Sequence, residues 1–374
     1  METLAGAAAQ VATDPGTDRT SRIRVAIVGA TGYVGGELIR LLDRHPNVRI
    51  VGLQGRGRTD EPVGAVHPHL ARTGLRLDST LAEADAVFLA LPHGAAAEIV
   101  PDLAAGGTRV IDLGPDFRLH DPADYPLWYN FEHPSPELLG DAVYGLPELH
   151  RAALVALRDA RIAVVGAPGC FPTTTLLALA PLAREGLIAD LVVDAKTGVS
   201  GAGREAKPDF MFTEINESVK AYGLGGHRHT AEIEQELAFA GGTRPGEETA
   251  RRNPGAVGVD FVPHLVPMTR GIFSTSHVRP SRPISTAELR ELYQHAYAGE
   301  PFVEVSDSAV STGQVLGSNF ARIHVTMGER SGRIRAIGVT DNLVKGAAGQ
   351  AVQCFNVLFG LPETAGLEQL PLAP

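Results

Sequence analysis

Residues 23–42 read IRVAIVGATGYVGGELIRLL. The opening IRVAIVGA is a short, branched apolar run, the kind that forms a strand buried on both faces of a parallel sheet. The later part has helical spacing through Leu38, Ile39, Leu41 and Leu42, and Pro46 ends it. Between them Gly29, Gly32 and Gly35 form a G-x-x-G-x-x-G turn. In a strand–turn–helix setting, such glycines let the backbone approach a pyrophosphate, and the helix start supplies N–H donors and the positive dipole end. Gly29, Thr31, Gly32, Tyr33, Val34 and Gly35 are therefore the first candidates for dinucleotide contacts. A tight turn that only aids helix packing is the alternative, and the context disfavours it.

The same alternation continues outward. VRIVGLQG, ADAVFLALP and TRVIDLG read as further strands, with GAAAEIVPDLAAGG as a helix among them. Strands alternating with helices imply an α/β, Rossmann-type, doubly wound parallel sheet. The second strand ends in LQGRGR, with no carboxylate to meet a ribose 2′-hydroxyl. Arg56 and Arg58 stand there instead and suit a 2′-phosphate, so NADP(H) is expected rather than NAD(H). Pro92 and His93 follow a later strand end on the nucleotide side, where they would cover the cofactor.

Beyond about residue 114 the chain is rich in Pro, Asp and aromatics and reads as a long structured connection. RIAVVGAPG resumes a buried strand, and the strand-like runs that follow suit a second, α+β domain. NLVKGAAGQAVQCFNVLFG reads as an amphipathic helix with Leu343, Ala347, Ala351 and Phe355 on one face. There is no internal repeat. A length of 374 residues suggests two domains, and 44% hydrophobic with 20% charged residues is ordinary globular composition. A net charge of −10 argues against a general nucleic-acid binder, and two cysteines point to a reducing compartment. No apolar stretch approaches a membrane span, and residues 1–21 read as a disordered tail without a signal peptide. The cytoplasm is the default location, and no metal site is expected.

Cys170 lies at the strand-to-helix junction in VVGAPGCFPTTTLLALAPL. Orphan N–H groups and the helix dipole at such a start lower a thiol's pKa and can hold an oxyanion. A small buried apolar residue is the alternative for Cys170, and it is the preferred reading for Cys354. In GLGGHRHTAEIEQEL, His227 and His229 precede a helix that carries Glu232 in its first turn. Either histidine could serve a thiolate as proton carrier. KTGVSGAGR adds Ser200, Gly201 and Arg204, a run of donors suited to an anion. Arg118 in PDFRL and Arg270 in PMTRG are further candidates for substrate anions, with plain salt bridges as the alternative.

GATGYVGGELIRLL, PDFRL, GAPGCFPT, KTGVSGAGR, GGHRHTAEIEQEL and DNLVKGAAGQAVQ occur in this order. Together they resemble the N-acetyl-γ-glutamyl-phosphate reductase family over roughly residues 22–362. The resemblance implies NADPH-dependent reduction of N-acetyl-L-glutamyl 5-phosphate to N-acetyl-L-glutamate 5-semialdehyde and phosphate, in arginine synthesis. It implies an aspartate-semialdehyde-dehydrogenase-like fold: an NADP-binding domain over 22–168, a catalytic and oligomerisation α+β domain over 169–340, and a segment 341–374 whose helix returns to the first domain. Cys170 matches the family nucleophile, His229 the acid/base position with His227 competing, and Glu232 the carboxylate that orients it. Asn342 joins Ser200 and Gly201 as a cofactor contact, and Ser200 also counts with Arg118, Arg204 and Arg270 on the substrate side. A homo-oligomer, tetramer or dimer, is implied. Phe171, Ala231 and Cys354 depart from the family's usual tyrosine, proline and asparagine. Rival readings are a reductase of a carrier-bound aminoadipyl phosphate in lysine synthesis, a non-catalytic NADP(H)-binding regulator, and a thiol hydrolase.

Overall fold

The computed structural model describes residues 22–243 and 258–372, so the tail expected over 1–21 lies outside the described residues. Six strands form the first sheet: β1 (Ile23–Val28), β2 (Val48–Gln54), β3 (Ala86–Leu89), β4 (Arg109–Asp112), β5 (Ala142–Tyr144) and β6 (Val164–Gly166). Their order is β2-β1-β3-β4-β6-β5, and every pairing is parallel. The chain crosses from one side of β1 to the other between β2 and β3. The glycine turn therefore opens at the switch point where sheets of this kind bind ligands. Gly29 there has φ +88°, and a Cβ on it would lie 2.2 Å from the Ala90 carbonyl oxygen. Only glycine fits both the backbone and the space.

Of the apolar residues that predicted β1, Val25, Ala26 and Ile27 are fully buried and Ile23 is half-buried at the strand's start. The Tyr33–Leu42 helix buries Leu38, Ile39, Leu41 and Leu42 against the same core. The stretch read as a connection holds more structure than its composition suggests. It contains a short helix at Asp124–Trp128 and the edge strand β5, whose three residues are too few for a period to show.

The second sheet has seven strands: β7 (Ile188–Thr197), β8 (Lys220–Ala221), β9 (Val259–Leu265), β10 (Ile272–Pro280), β11 (Val303–Val305), β12 (Ala321–Met327) and β13 (Ile334–Thr340). Their order is β11-β12-β13-β10-β7-β9-β8, mixed in direction, with β7–β9 and β11–β12 parallel. The Cys170–Arg184 helix runs from the end of β6 onto this sheet, and Phe171 through Ala183 are buried. Its three threonines serve that burial. Thr173 and Thr174 return their hydroxyls to the carbonyls of Gly169 and Cys170, both at 3.0 Å. Thr174 also meets Thr340 at 2.7 Å and Thr175 meets Ser274 at 2.9 Å, which fixes the helix on β13 and β10. The three threonine hydroxyls buried here are thus all partnered.

The last helix differs from the amphipathic expectation. A π-helical turn, Val344–Ala348, precedes Gly349–Leu358, and all ten residues of the latter are buried. The helix packs between the Tyr33–Leu42 and Pro147–Ala156 helices and touches β4, so it has no solvent face. The turn is anchored by Lys345, whose Nζ donates to Glu148 and Gln353, both at 2.6 Å, with Lys345 and Glu148 fully buried.

Candidate active site

A cleft of about 300 Å³ opens between the two sheets. The first domain contributes Gly32, Tyr33, Val34, His93 and Gly114, the second contributes Cys170, Ser200, Gly201, Arg204, Arg228 and His229, and the C-terminal segment adds Asn342 and Gly346. At its dinucleotide end, Gly32 caps the Tyr33–Leu42 helix without any side-chain hydrogen bond, and the first turn holds no acidic residue. These N–H groups lack a side-chain cap and suit an anion. Asn342 donates to the Ser200 hydroxyl at 2.9 Å and accepts the Gly271 N–H at 2.7 Å, which holds the Ser200–Gly201 loop in place. Arg204 crosses to the first domain and donates to the carbonyls of Thr31 at 3.3 Å and Val66 at 2.9 Å.

Other dinucleotide candidates lie off the cleft wall. Gly29 and Gly35 shape the turn from beneath, Gly35 being buried. Pro92 is exposed beside His93. Arg58 donates to Glu61 at 2.8 Å, so its charge is already met. Arg56 is exposed in the loop that starts where Gly55 packs on Thr31.

Cys170 is the first residue of its helix, half-buried on the cleft floor. Gly346 of the π-helical turn presses on it: a Cβ there would lie 2.8 Å from the Cys170 Cβ. The expectation of a thiol acidified by the helix start is corrected by its surroundings. Loss of hydration pushes the thiol up to about 11, more than the Phe171 N–H and the Arg118 charge bring it down. The Glu232 charge raises it further.

Glu232 is fully buried and lies at the centre of a dense polar network. Arg118 donates to its Oε1 at 3.0 Å, and Tyr129 does so at 3.3 Å. Tyr144 and the Gly169 N–H both donate to Oε2 at 3.0 Å. His229 Nε2 is 3.9 Å from Oε1, beyond hydrogen-bond range. The carboxylate therefore holds the backbone before the nucleophile more directly than it orients the imidazole. His229 lies against Gly169, where a Cβ would come within 2.4 Å of Nε2. Burial first, and the nearby His227 and Arg228 second, hold His229 well below the usual histidine range. It is neutral at neutral pH and able to accept a proton. His227 does not line the cleft. It packs between Phe171, Tyr222 and Phe261, and its Nδ1 accepts the His229 N–H at 3.2 Å. Burial brings it to about 4.

Two arginines expected on substrate anions have other partners. Arg270 is pinned between Glu37 of the first domain and Asp341, 3.5 Å away, and does not line the cleft. Two carboxylates cancel its charge, so it acts as an interdomain strut. Arg118 lines the cleft but is buried against Glu232, with its Nε and NH2 spent on the carbonyls of Ala167 at 2.7 Å and Leu113 at 2.8 Å. Residues missed from sequence are Tyr129, Tyr144, Arg228 and Gly346. The tyrosines sit in the stretch read as a connection, and Arg228 lies unremarked between two more conspicuous histidines. Cys354 is buried and donates to the Gly145 carbonyl at 3.1 Å, the core role expected of it.

Comparison with known proteins adds the following. The family described as semialdehyde dehydrogenase, NAD binding domain, matches residues 24–157, and the semialdehyde dehydrogenase dimerisation domain family matches residues 170–342. An N-acetyl-gamma-glutamyl-phosphate reductase of Heliobacterium modesticaldum is 47% identical over 364 residues, covering 94% of this chain and all of the relative. The protein of that name from Bordetella pertussis is 44% identical, covering 95% and 98%. Among solved structures, aspartate semialdehyde dehydrogenase with NADP from Candida albicans superposes with a TM-score of 0.66 at 15% identity, covering 92% of this chain and 99% of that one. Aspartate semialdehyde dehydrogenase II from Vibrio cholerae gives 0.64 at 19%, covering 90% and 98%. At such identities the likeness speaks for the fold alone.

Proposed function

The chain belongs to the N-acetyl-γ-glutamyl-phosphate reductase family, built on semialdehyde dehydrogenase domains, and we infer that Cys170 carries its reaction. That reaction is the NADPH-dependent reduction of N-acetyl-L-glutamyl 5-phosphate to the 5-semialdehyde with release of phosphate. The observation that carries the assignment is the place of Cys170: a helix start on the cleft floor, with a neutral imidazole packed on the residue before it.

Because the free thiol is protonated at neutral pH, attack needs a base. His229 takes the thiol proton as sulfur bonds to the acyl carbon, and the phosphate leaves with the electrons of its C–O bond. The product is a thioester on Cys170, which accepts hydride far more readily than a carboxylate would. The uncapped start of the Tyr33–Leu42 helix, Ser200, Gly201 and Asn342 would hold the dinucleotide, whose chemistry is to supply that hydride. His229 then protonates the resulting oxyanion at the thiohemiacetal and takes the proton back as the C–S bond breaks. Aldehyde and sulfur part. Such proton management is typically worth about 10²–10⁴-fold.

Arg56 supports a preference for NADP(H), being an exposed guanidinium beside the glycine turn with no ion-pair partner among the described residues. A dimerisation domain goes with a homo-oligomer, and a tetramer is the finer state we propose, read by light scattering of the eluted protein. No helix among the described residues is long and apolar enough to cross a membrane, and we place the enzyme in the cytoplasm.

The deciding assay follows NADPH absorbance with enzymatically generated N-acetylglutamyl phosphate, for wild type and Cys170→Ala. Oxidation by wild type alone is expected. Oxidation by both removes Cys170 from the chemistry, and oxidation by neither, with NADPH bound, overturns the substrate.

A further inference from the structure

Three guanidinium groups line the cleft, and their partners differ. Arg118 is neutralised by Glu232 and its remaining contacts are carbonyls. Arg204 is spread over two carbonyls at the glycine turn, at the dinucleotide end. Arg228 has neither arrangement. Its NH1 donates to His93 Nε2 at 2.7 Å, across the cleft, and no carboxylate meets it among the described residues. A guanidinium can only donate, so His93 must accept with a bare nitrogen and be neutral. Shielding from solvent and the Arg228 charge hold His93 at about 4, consistent with this.

An uncancelled positive charge thus stands on the cleft wall, one residue before His229 and at the start of the His229–Ala240 helix. That helix and the nucleophile's helix both open on the cleft. A second observation is His229 itself, which is buried and whose Nδ1 has no hydrogen-bond partner among the described residues. Forked guanidinium recognition suits a phosphoryl group, and Arg228 stands next to the imidazole that serves the reacting acyl carbon.

We propose that Arg228 binds the phosphoryl oxygens of the acyl phosphate and holds the departing phosphate, a role for which the sequence offered Arg118, Arg204 and Arg270 without choosing among them. The proposal rests on the reaction assigned above. In the free enzyme His93, a positioning residue from the dinucleotide-binding domain, keeps the guanidinium extended across the cleft. The phosphoryl group then replaces this contact between a cation and a neutral ring with an ion pair.

The test uses the reverse reaction, in which semialdehyde, NADP and inorganic phosphate are substrates. Arg228→Gln should raise the KM for phosphate by about 10–100-fold, the scale of a lost charge-assisted hydrogen bond, and leave the KM values for semialdehyde and NADP within about two-fold. Arg228→Lys should recover part of the loss. A second readout needs no turnover: millimolar inorganic phosphate should slow alkylation of Cys170 by iodoacetamide in wild type and fail to do so in Arg228→Gln. An unchanged phosphate KM together with unchanged protection overturns the role of Arg228. A wild type inert in the reverse reaction but still protected by phosphate through Arg228 would instead overturn the assigned substrate.

Discussion

The Glu232 carboxylate accepts the Gly169 N–H at 3.0 Å, one residue before the nucleophile and 63 positions away in sequence. The Cys170–Arg184 helix has no side-chain cap from its own segment. Its entry is fixed instead by a carboxylate from the neighbouring helix, itself held by Arg118, Tyr129 and Tyr144. The nucleophile's position therefore depends on packing between two helices and on a fully buried charge.

Glu232→Gln keeps the shape of this residue and removes its charge. Arg118 then becomes an unpaired buried cation, a situation that costs roughly 3–5 kcal/mol. Urea unfolding should show a loss of that order. Reductase activity should fall with it, because Gly169 loses a charged acceptor. Replacement of both Arg118 and Glu232 by apolar residues should restore part of the stability and none of the activity.

Gly346→Ala tests the seat of the thiol from the opposite side. The new Cβ would lie 2.8 Å from the Cys170 Cβ and 3.2 Å from its Cα, both backbone-rigid neighbours. The nucleophile must move. A misplacement of about 1 Å costs on the order of 10²-fold in rate. The kcat should drop by about that factor, while NADPH binding, measured by its fluorescence, should change little because the glycine turn is untouched.

The pH dependence of thiol chemistry follows from the burial of Cys170. With the thiol raised from 9.0 to about 11, roughly one molecule in 10⁴ carries a thiolate at pH 7. Alkylation by iodoacetamide should be slow at neutral pH and rise tenfold per pH unit up to about 11. Arg228 lowers this value through its charge, so Arg228→Gln should shift the profile further up. A rate already level at pH 8 would contradict the burial argument. Turnover, in contrast, draws on His229 as base and should not follow this profile.

Much of this site was legible in the sequence because its parts are local. The glycine turn needs only a strand before it and a helix after it, and Cys170 needs only the helix that follows. The network around Glu232 was not legible, because Arg118, Tyr129, Tyr144 and Gly169 reach it from four separate segments. The same holds for the thiol's pKa, where a helix start is visible in sequence and desolvation is not. The partners of Arg270 and Arg118 were hidden for a related reason: an arginine's motif does not reveal which carboxylate the fold sets against it. The last helix kept its helical spacing but lost its polar face, since neighbours on every side bury residues such as Gln350 and Asn356.

The cofactor preference rests on one side chain. The sequence offers Arg56 and Arg58 together, but Arg58 is paired with Glu61 at 2.8 Å in an exposed salt bridge. Such a bridge is worth little and still reduces the charge offered to a phosphate. Arg56 has no such partner among the described residues, and its loop starts at Gly55, packed on Thr31 of the glycine turn. Arg56→Gln should therefore raise the KM for NADPH by about 10-fold or more, as expected for one charge-assisted hydrogen bond, and leave the KM for NADH nearly unchanged. Arg58→Gln should shift the NADPH value by less, because only a residual field is removed. Steady-state kinetics with both cofactors decide it: equal losses for NADPH and NADH would mean that Arg56 supports the turn itself and does not read the 2′-phosphate.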